Sequence, residues 1–185
     1  MELILASASA RRRELIGLLG MPFTVQTAPV DETMDLQKDI KQQVAELSLR
    51  KAKAVGAFAG KITVAADTVV VLDNKVLGKP ADEEDAVRML TSLSGRDHLV
   101  MTGVTVLHTN GHLSHTQVTR VRFRQLSLEE IKAYVATKDP MDKAGAYGIQ
   151  SGAAVFVEGI EGDYFNVVGL PVCKLNQMIR EVMTV

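Results

Sequence analysis

Apolar residues recur along this chain in two rhythms, one of strands and one of helices. Leu3-Ile4-Leu5 is a short run suited to a buried strand, and the small residues that follow make a tight turn. From Ser9 the rhythm becomes helical. Ser9 suits an N-cap, and an amphipathic helix is predicted to reach Gly20 with Leu15, Leu18 and Leu19 on its apolar stripe. At about 100° per residue, Arg11 and Arg12 flank that stripe and Arg13 points away from it. Phe23 to Gln26 reads as a strand and Gln42 to Phe58 as a helix, with Val44, Leu47, Val55 and Phe58 on one face. Ile62 to Leu72 is a near-continuous apolar run, the mark of a central strand, interrupted only by Asp67 and Thr68. Leu72 to Val76 makes a hairpin. A helix with acidic residues Asp82 to Asp85 in its first turn buries Val87, Leu90 and Leu93 and stops at Gly95.

The second half continues the alternation. Strands at His98–Leu107 and Val118–Phe123 surround an Asn110-Gly111 turn. Ser127-Leu128-Glu129-Glu130 is a capping box opening a helix to about Thr137. Asp139 to Gln150, rich in glycine, reads as a shaped loop. Strands are predicted at Ala153–Val157 and Phe165–Val168, then a final helix beyond Pro171. Strands alternating with helices point to an α/β sheet.

Composition narrows the partners. A chain of 185 residues can bury a substantial core as one domain or two small lobes. A net charge of −1 provides no global attraction to nucleic acid or an anionic membrane, so any phosphate binding must be local. The single cysteine, Cys173, excludes an intramolecular disulfide and a cysteine zinc cluster. No apolar segment is long enough to cross a bilayer, and a soluble cytoplasmic protein is expected.

Candidate chemistry lies in a few places. Arg11 and Arg12 sit at a helix end that already carries positive partial charge, so a bound anion would compensate them; a solvated basic turn is the alternative. Lys51, in the middle of an apolar stripe, either snorkels to solvent or reaches an anion inside a cleft. Asp67, enclosed by apolar sequence, needs cations, donors or a metal nearby, unless it caps a backbone bend. Asp31 and Glu32 are either a solvated turn or carboxylates for a hard cation. Lys79 is pinned between Gly78 and Pro80. The primary amide of Gln150 offers donor and acceptor together, which complements the edge of a uracil or thymine. Gly56 to Thr63 imitates a phosphate loop but has the wrong spacing and leads from helix into strand. His108, His112 and His115 surround a polar hairpin tip without carboxylate or cysteine partners near in sequence, a poor metal set.

These stretches together resemble the Maf family of nucleoside triphosphate pyrophosphatases, from Leu3 to Pro171. The motifs that carry the resemblance are Ser7-Ala8-Ser9-Ala10-Arg11-Arg12, Ala66-Asp67-Thr68, Gly78-Lys79-Pro80, Asp142 to Gln150, and Val168-Gly169-Leu170-Pro171. Ala10 stands where the family usually has proline, which costs rigidity but no functional group. The resemblance implies a central mixed, strongly twisted β-sheet flanked by helices, in two lobes around a cleft within a single domain. It implies metal-dependent cleavage between the α and β phosphates, and the loop ending Tyr147-Gly148-Ile149-Gln150 is similar to the dTTP/UTP subgroup. By this likeness Asp67 is the proton acceptor. Ser7, Arg11, Arg12, Lys51 and Lys79 bind the triphosphate, while Arg11, Thr68 and Gln150 select the base. Glu32 and Asp67 hold a divalent cation, Mg2+ or Mn2+. The family's role is house-cleaning of pyrimidine nucleotides, and it has also been linked to inhibition of cell division, so a nucleotide-sensing regulator of septation is the rival reading. The expected partner is a nucleoside triphosphate, with homodimerisation as the default assembly.

Overall fold

The structure, a computed structural model, describes residues 1–35 and 38–184. Its strands are β1 (Glu2–Leu5), β2 (Phe23–Val25), β3 (Lys61–Leu72), β4 (Lys75–Leu77), β5 (Asp97–His108), β6 (Gly111–Phe123) and β7 (Val157–Glu161). They form one sheet in the order β2-β1-β3-β5-β6-β7, with β4 paired to β3. β1 runs parallel to both β2 and β3, whereas β3–β4 and β6–β7 are antiparallel, so the sheet is mixed as expected. Six helices accompany it among the described residues: α1 (Ala10–Gly17), α2 (Ile40–Val55), α3 (Glu83–Leu93), α4 (Leu128–Ala136), α5 (Tyr164–Val168) and α6 (Val172–Thr184).

The chain divides into two compact units. The first comprises Met1–Thr68, Thr102–Gln117 and the segment from Phe165; the second comprises Val69–Met101 and Val118–Tyr164. In the first, Leu3, Ile4 and Leu5 are at most 1 % exposed, the burial their apolar run predicts. In the second, Asp73 and Asn74 both take positive φ, as the tight turn between β3 and β4 demands, and the Ser127–Glu130 capping box is complete. Burial of His98 there drives its imidazole down to about 4 against a weaker upward pull from Asp97. The neutral ring pairs Nε2 with the Tyr147 hydroxyl at 2.8 Å and meets the edge of Phe123 at 5.0 Å.

Several expectations are corrected. α1 ends at Gly17, and its buried residues are Leu15 and Ile16; Leu18 is exposed. α2 spans Ile40–Val55 with Asp39 as N-cap, so Phe58 lies outside it and is exposed. In α3 the buried face is Ala86, Leu90 and Leu93, with Val87 half-buried. The strand expected at Phe165–Val168 is α5, and Ala153–Phe156 belongs to a 3-10 turn from Gly152 that precedes β7. Both segments carry β-formers, and tertiary context overrides that weak local preference. The Asp139–Gln150 loop contains 3-10 turns at Asp139–Asp142 and Ala144–Ala146.

Candidate active site

The first unit positions its site by docking α2 tightly on β5. At Gly103 a Cβ would collide with the Val44 carbonyl, so only glycine lets the helix backbone approach this closely. One turn further on, the buried Ser48 hydroxyl meets Thr105 Oγ1 at 2.7 Å. Val44 and Leu47 face the core, and the next turn carries Lys51 inward with them.

Lys51 does not snorkel. Its side chain is 15 % exposed, and Nζ lies 2.6 Å from Asp67 Oδ1 and 2.9 Å from Glu32 Oε1. Asp67 is 14 % exposed. It lies within an unbroken β3, which removes the backbone-bend reading and leaves the buried charge satisfied by a cation. Among the described residues its one hydrogen bond falls on Oδ1, leaving Oδ2 open. Glu32 is 62 % exposed, at the rim. Arg50, which the sequence does not single out, holds the turn that presents Glu32: its guanidinium donates to the Asp31 carbonyl at 2.6 Å and the Thr33 carbonyl at 2.8 Å. The only sequence signal for Arg50 was its adjacency to Lys51.

A second cation completes the arrangement. Ser9 caps α1 as predicted, accepting from the Arg12 N–H at 3.4 Å. The Arg12 guanidinium donates through Nε to the Gly169 carbonyl at 2.9 Å, through Nη2 to Thr68 Oγ1 at 3.0 Å, and through Nη1 to Ser7 Oγ at 3.4 Å. Desolvation pulls its pKa down, Asp67 pushes it up, Arg11 pulls it down and Glu32 pushes it up. The four charges therefore share one field. Arg12 occupies two hydroxyl lone pairs, which sets the proton order beyond it. Thr68 donates to Thr102 Oγ1 at 2.9 Å, and Thr102 donates to the Asn166 carbonyl at 3.0 Å. The Ser7 oxygen accepts from Arg12 and from the Ser9 N–H at 3.3 Å; its O–H has no acceptor among the described residues. Gly169 and Thr102 had no individual sequence signal as partners, because both contacts are long-range in the chain.

The structure thus gathers Ser7, Arg11, Arg12, Glu32, Lys51, Asp67 and Thr68 within the first unit. Lys79 and Gln150 belong to the second, where both are exposed.

The carboxylates suit a hard divalent ion. Two of them approach one ammonium closely, so both oxygens already serve a single cationic centre. No group of three or more His, Cys, Asp or Glu among the described residues could hold a metal alone. Two carboxylates completed by phosphate oxygens and water are a common magnesium environment.

Known proteins resemble this chain over nearly its whole length. The family described as Maf-like protein matches residues 2–182. A Geobacillus protein named dTTP/UTP pyrophosphatase is 50 % identical over 98 % of this chain and 96 % of its own length. One of the same name from Symbiobacterium thermophilum is 49 % identical over 97 % and 93 %. A solved HAM1 protein from Coxiella burnetii shares the fold, with a TM-score of 0.55 at 14 % identity over 98 % of this chain and 99 % of that one. Among the described residues no helix is long and apolar enough to cross a membrane. With a family match over residues 2–182 and relatives about half identical over nearly the full length, the chain belongs to the Maf family.

Proposed function

We propose that this chain is a nucleoside triphosphate pyrophosphatase that hydrolyses dTTP and UTP, and modified pyrimidine nucleotides, to the monophosphate and pyrophosphate. This is a house-cleaning activity set in the cytoplasm. The family match over nearly the whole chain supports reading it as one catalytic domain. One observation carries the mechanism: a mostly buried Asp67, with one carboxylate oxygen open, inside a cluster of Lys51, Arg12 and Arg11.

The residues divide the work. Arg11, Arg12 and the uncommitted Ser7 hydroxyl bind the phosphates. Lys51 shifts from Asp67 to a phosphate oxygen when the triphosphate arrives, which frees the carboxylate. Asp67 then accepts a proton from water as the water oxygen bonds to the α-phosphorus. The α–β anhydride bond breaks, and pyrophosphate leaves with its electron pair. Asp67 and Glu32 would hold a divalent cation, which would neutralise charge on the phosphates. Thr68, fixed by Arg12 and Thr102, and Arg11 contact the nucleoside; Lys79 takes a phosphate and Gln150 the base.

A panel of nucleoside triphosphates, incubated with purified protein and magnesium, tests the reading. dTTP and UTP should give monophosphate and pyrophosphate in equal amounts, with purine triphosphates much slower. Nucleotide binding without pyrophosphate release would overturn it in favour of a sensor.

A further inference from the structure

The second unit holds an ionic and hydroxyl network that the proposed mechanism does not use. Asp139 is its hub. Its Oδ2 accepts from the Tyr134 hydroxyl at 2.6 Å and the Ser151 hydroxyl at 2.5 Å, and its Oδ1 accepts from Lys143 Nζ at 3.0 Å. Lys143 also donates to the Asp139 carbonyl at 2.6 Å and to Asp142 Oδ1 at 2.7 Å. The Gly148 N–H donates to the Tyr134 oxygen at 3.1 Å, and the Ser151 hydroxyl lies 3.1 Å from the Gly148 carbonyl. Tyr134, Asp139, Ser151 and Gly148 therefore close a ring that ties α4 to both ends of a short turn.

That turn is tightly enclosed. A Cβ at Gly148 would come 2.6 Å from Lys143 Cε and 2.7 Å from Ser151 Oγ, so the backbone lies directly between two members of the network. Burial pushes the Asp139 carboxyl up, but the bonds from Ser151, Tyr134 and Lys143 outweigh it and hold it below the usual carboxylate range. Asp139 is an anion saturated by donors, suited to fixing geometry. Between the two stitched points stands Gln150, with an exposed side chain positioned by its backbone.

We infer that Asp139 is a specificity-determining positioning residue: through Ser151 and Tyr134 it fixes the Gly148–Ser151 turn, and so the place from which Gln150 reads a pyrimidine. The inference rests on the proposed role of Gln150. A primary amide recognises a base through two directed hydrogen bonds, and directed bonds discriminate only when their donor and acceptor are held in place. A loosened turn would leave phosphate binding and bond cleavage intact and relax the choice of base.

The experiment compares kcat and KM for dTTP, UTP and GTP in the wild type, Gln150→Ala, Asp139→Asn, Ser151→Ala and Ser151→Thr, and in the double variant Gln150→Ala with Asp139→Asn. Asp139→Asn is expected to lower the dTTP-to-GTP ratio of kcat/KM about tenfold, mainly through KM for dTTP, as a lost positioned contact does. Ser151→Ala should lower the ratio in the same direction, and Ser151→Thr, which keeps the hydroxyl, should restore it. The double variant should lose no more selectivity than Gln150→Ala alone, because both changes remove one function. An unchanged ratio in Asp139→Asn and Ser151→Ala, with a reduced ratio in Gln150→Ala, overturns the inference and leaves the reading of Gln150 standing. An equal fall for all three triphosphates also overturns it, since that marks lost folded protein. An unchanged ratio in Gln150→Ala overturns the reading of Gln150 and the inference with it. Should Asp139→Asn fail to fold, the two Ser151 variants decide alone.

Discussion

Two aspartates, each beside a lysine and each sheltered from solvent, are held in opposite ways. Asp139 receives three side-chain donors spread over both carboxylate oxygens. Asp67 receives one, from Lys51, and its second oxygen is open among the described residues. A carboxylate saturated with hydrogen bonds is stabilised as an anion and makes a weak base. One with an open oxygen and a single displaceable partner can take a proton. Lysine beside aspartate is therefore not a signature of catalysis. On the proposed mechanism, the number of donors already committed to the carboxylate separates structure from chemistry.

The largest expected consequence falls on Asp67. Asp67→Asn should lower kcat for dTTP by roughly 10²–10⁴-fold, the usual worth of a positioned general base. Asp139→Asn should leave kcat within a few-fold, and steady-state kinetics on both variants check the contrast. Arg12→Ala comes next. It removes the cation that orders Ser7, Thr68 and the Gly169 carbonyl, and should cost about 10²-fold in kcat/KM, near 3 kcal/mol, within the range for losing a buried charge-paired group.

A third expectation concerns acid stability in the second unit. The folded His98 titrates near 4 because burial disfavours its charge, while the unfolded chain takes up the proton at the ordinary 6.5. Between those values the unfolded state binds more protons, so stability falls as pH falls. The full contribution is present above 6.5, and about 3 kcal/mol of it is lost by pH 4. Urea unfolding across this window should show the slope in the wild type and a flatter one in His98→Gln. The smallest effect is assigned to Arg50. Arg50→Ala frees the turn carrying Glu32 and should raise the magnesium concentration for half-maximal rate a few-fold, with little change at saturating magnesium.

Local chemistry made much of this legible in the sequence. The Ser9 cap, the Asp73-Asn74 turn and the Ser127–Glu130 box are decided by residues within four positions of one another, and each was foreseen. So was a buried strand carrying a charge at Asp67, because apolar neighbours enclose it on both sides, although a backbone bend was the open alternative until β3 proved unbroken. That Lys51, expected at the same site by resemblance, pairs with Asp67 directly was not foreseen. Lys51 meets Asp67 only once Gly103 and Ser48 have docked α2 on β5, and no local pattern encodes that meeting. Phe165–Val168 was misread for a related reason: a four-residue piece rich in β-formers follows whichever packing its surroundings provide. The Asp139 ring has no local signature, because its members are spread from Tyr134 to Ser151 across a helix and a loop.

If Asp67 acts chiefly as the base, with dTTP itself held by the surrounding cations, calorimetric titration of Asp67→Asn with dTTP in the presence of magnesium, beside its turnover, separates the two roles. The expected affinity lies within a few-fold of the wild type in a protein that has lost nearly all hydrolysis. Hydrolysis at the wild-type rate, or an affinity that falls in step with the rate, would contradict this division of roles.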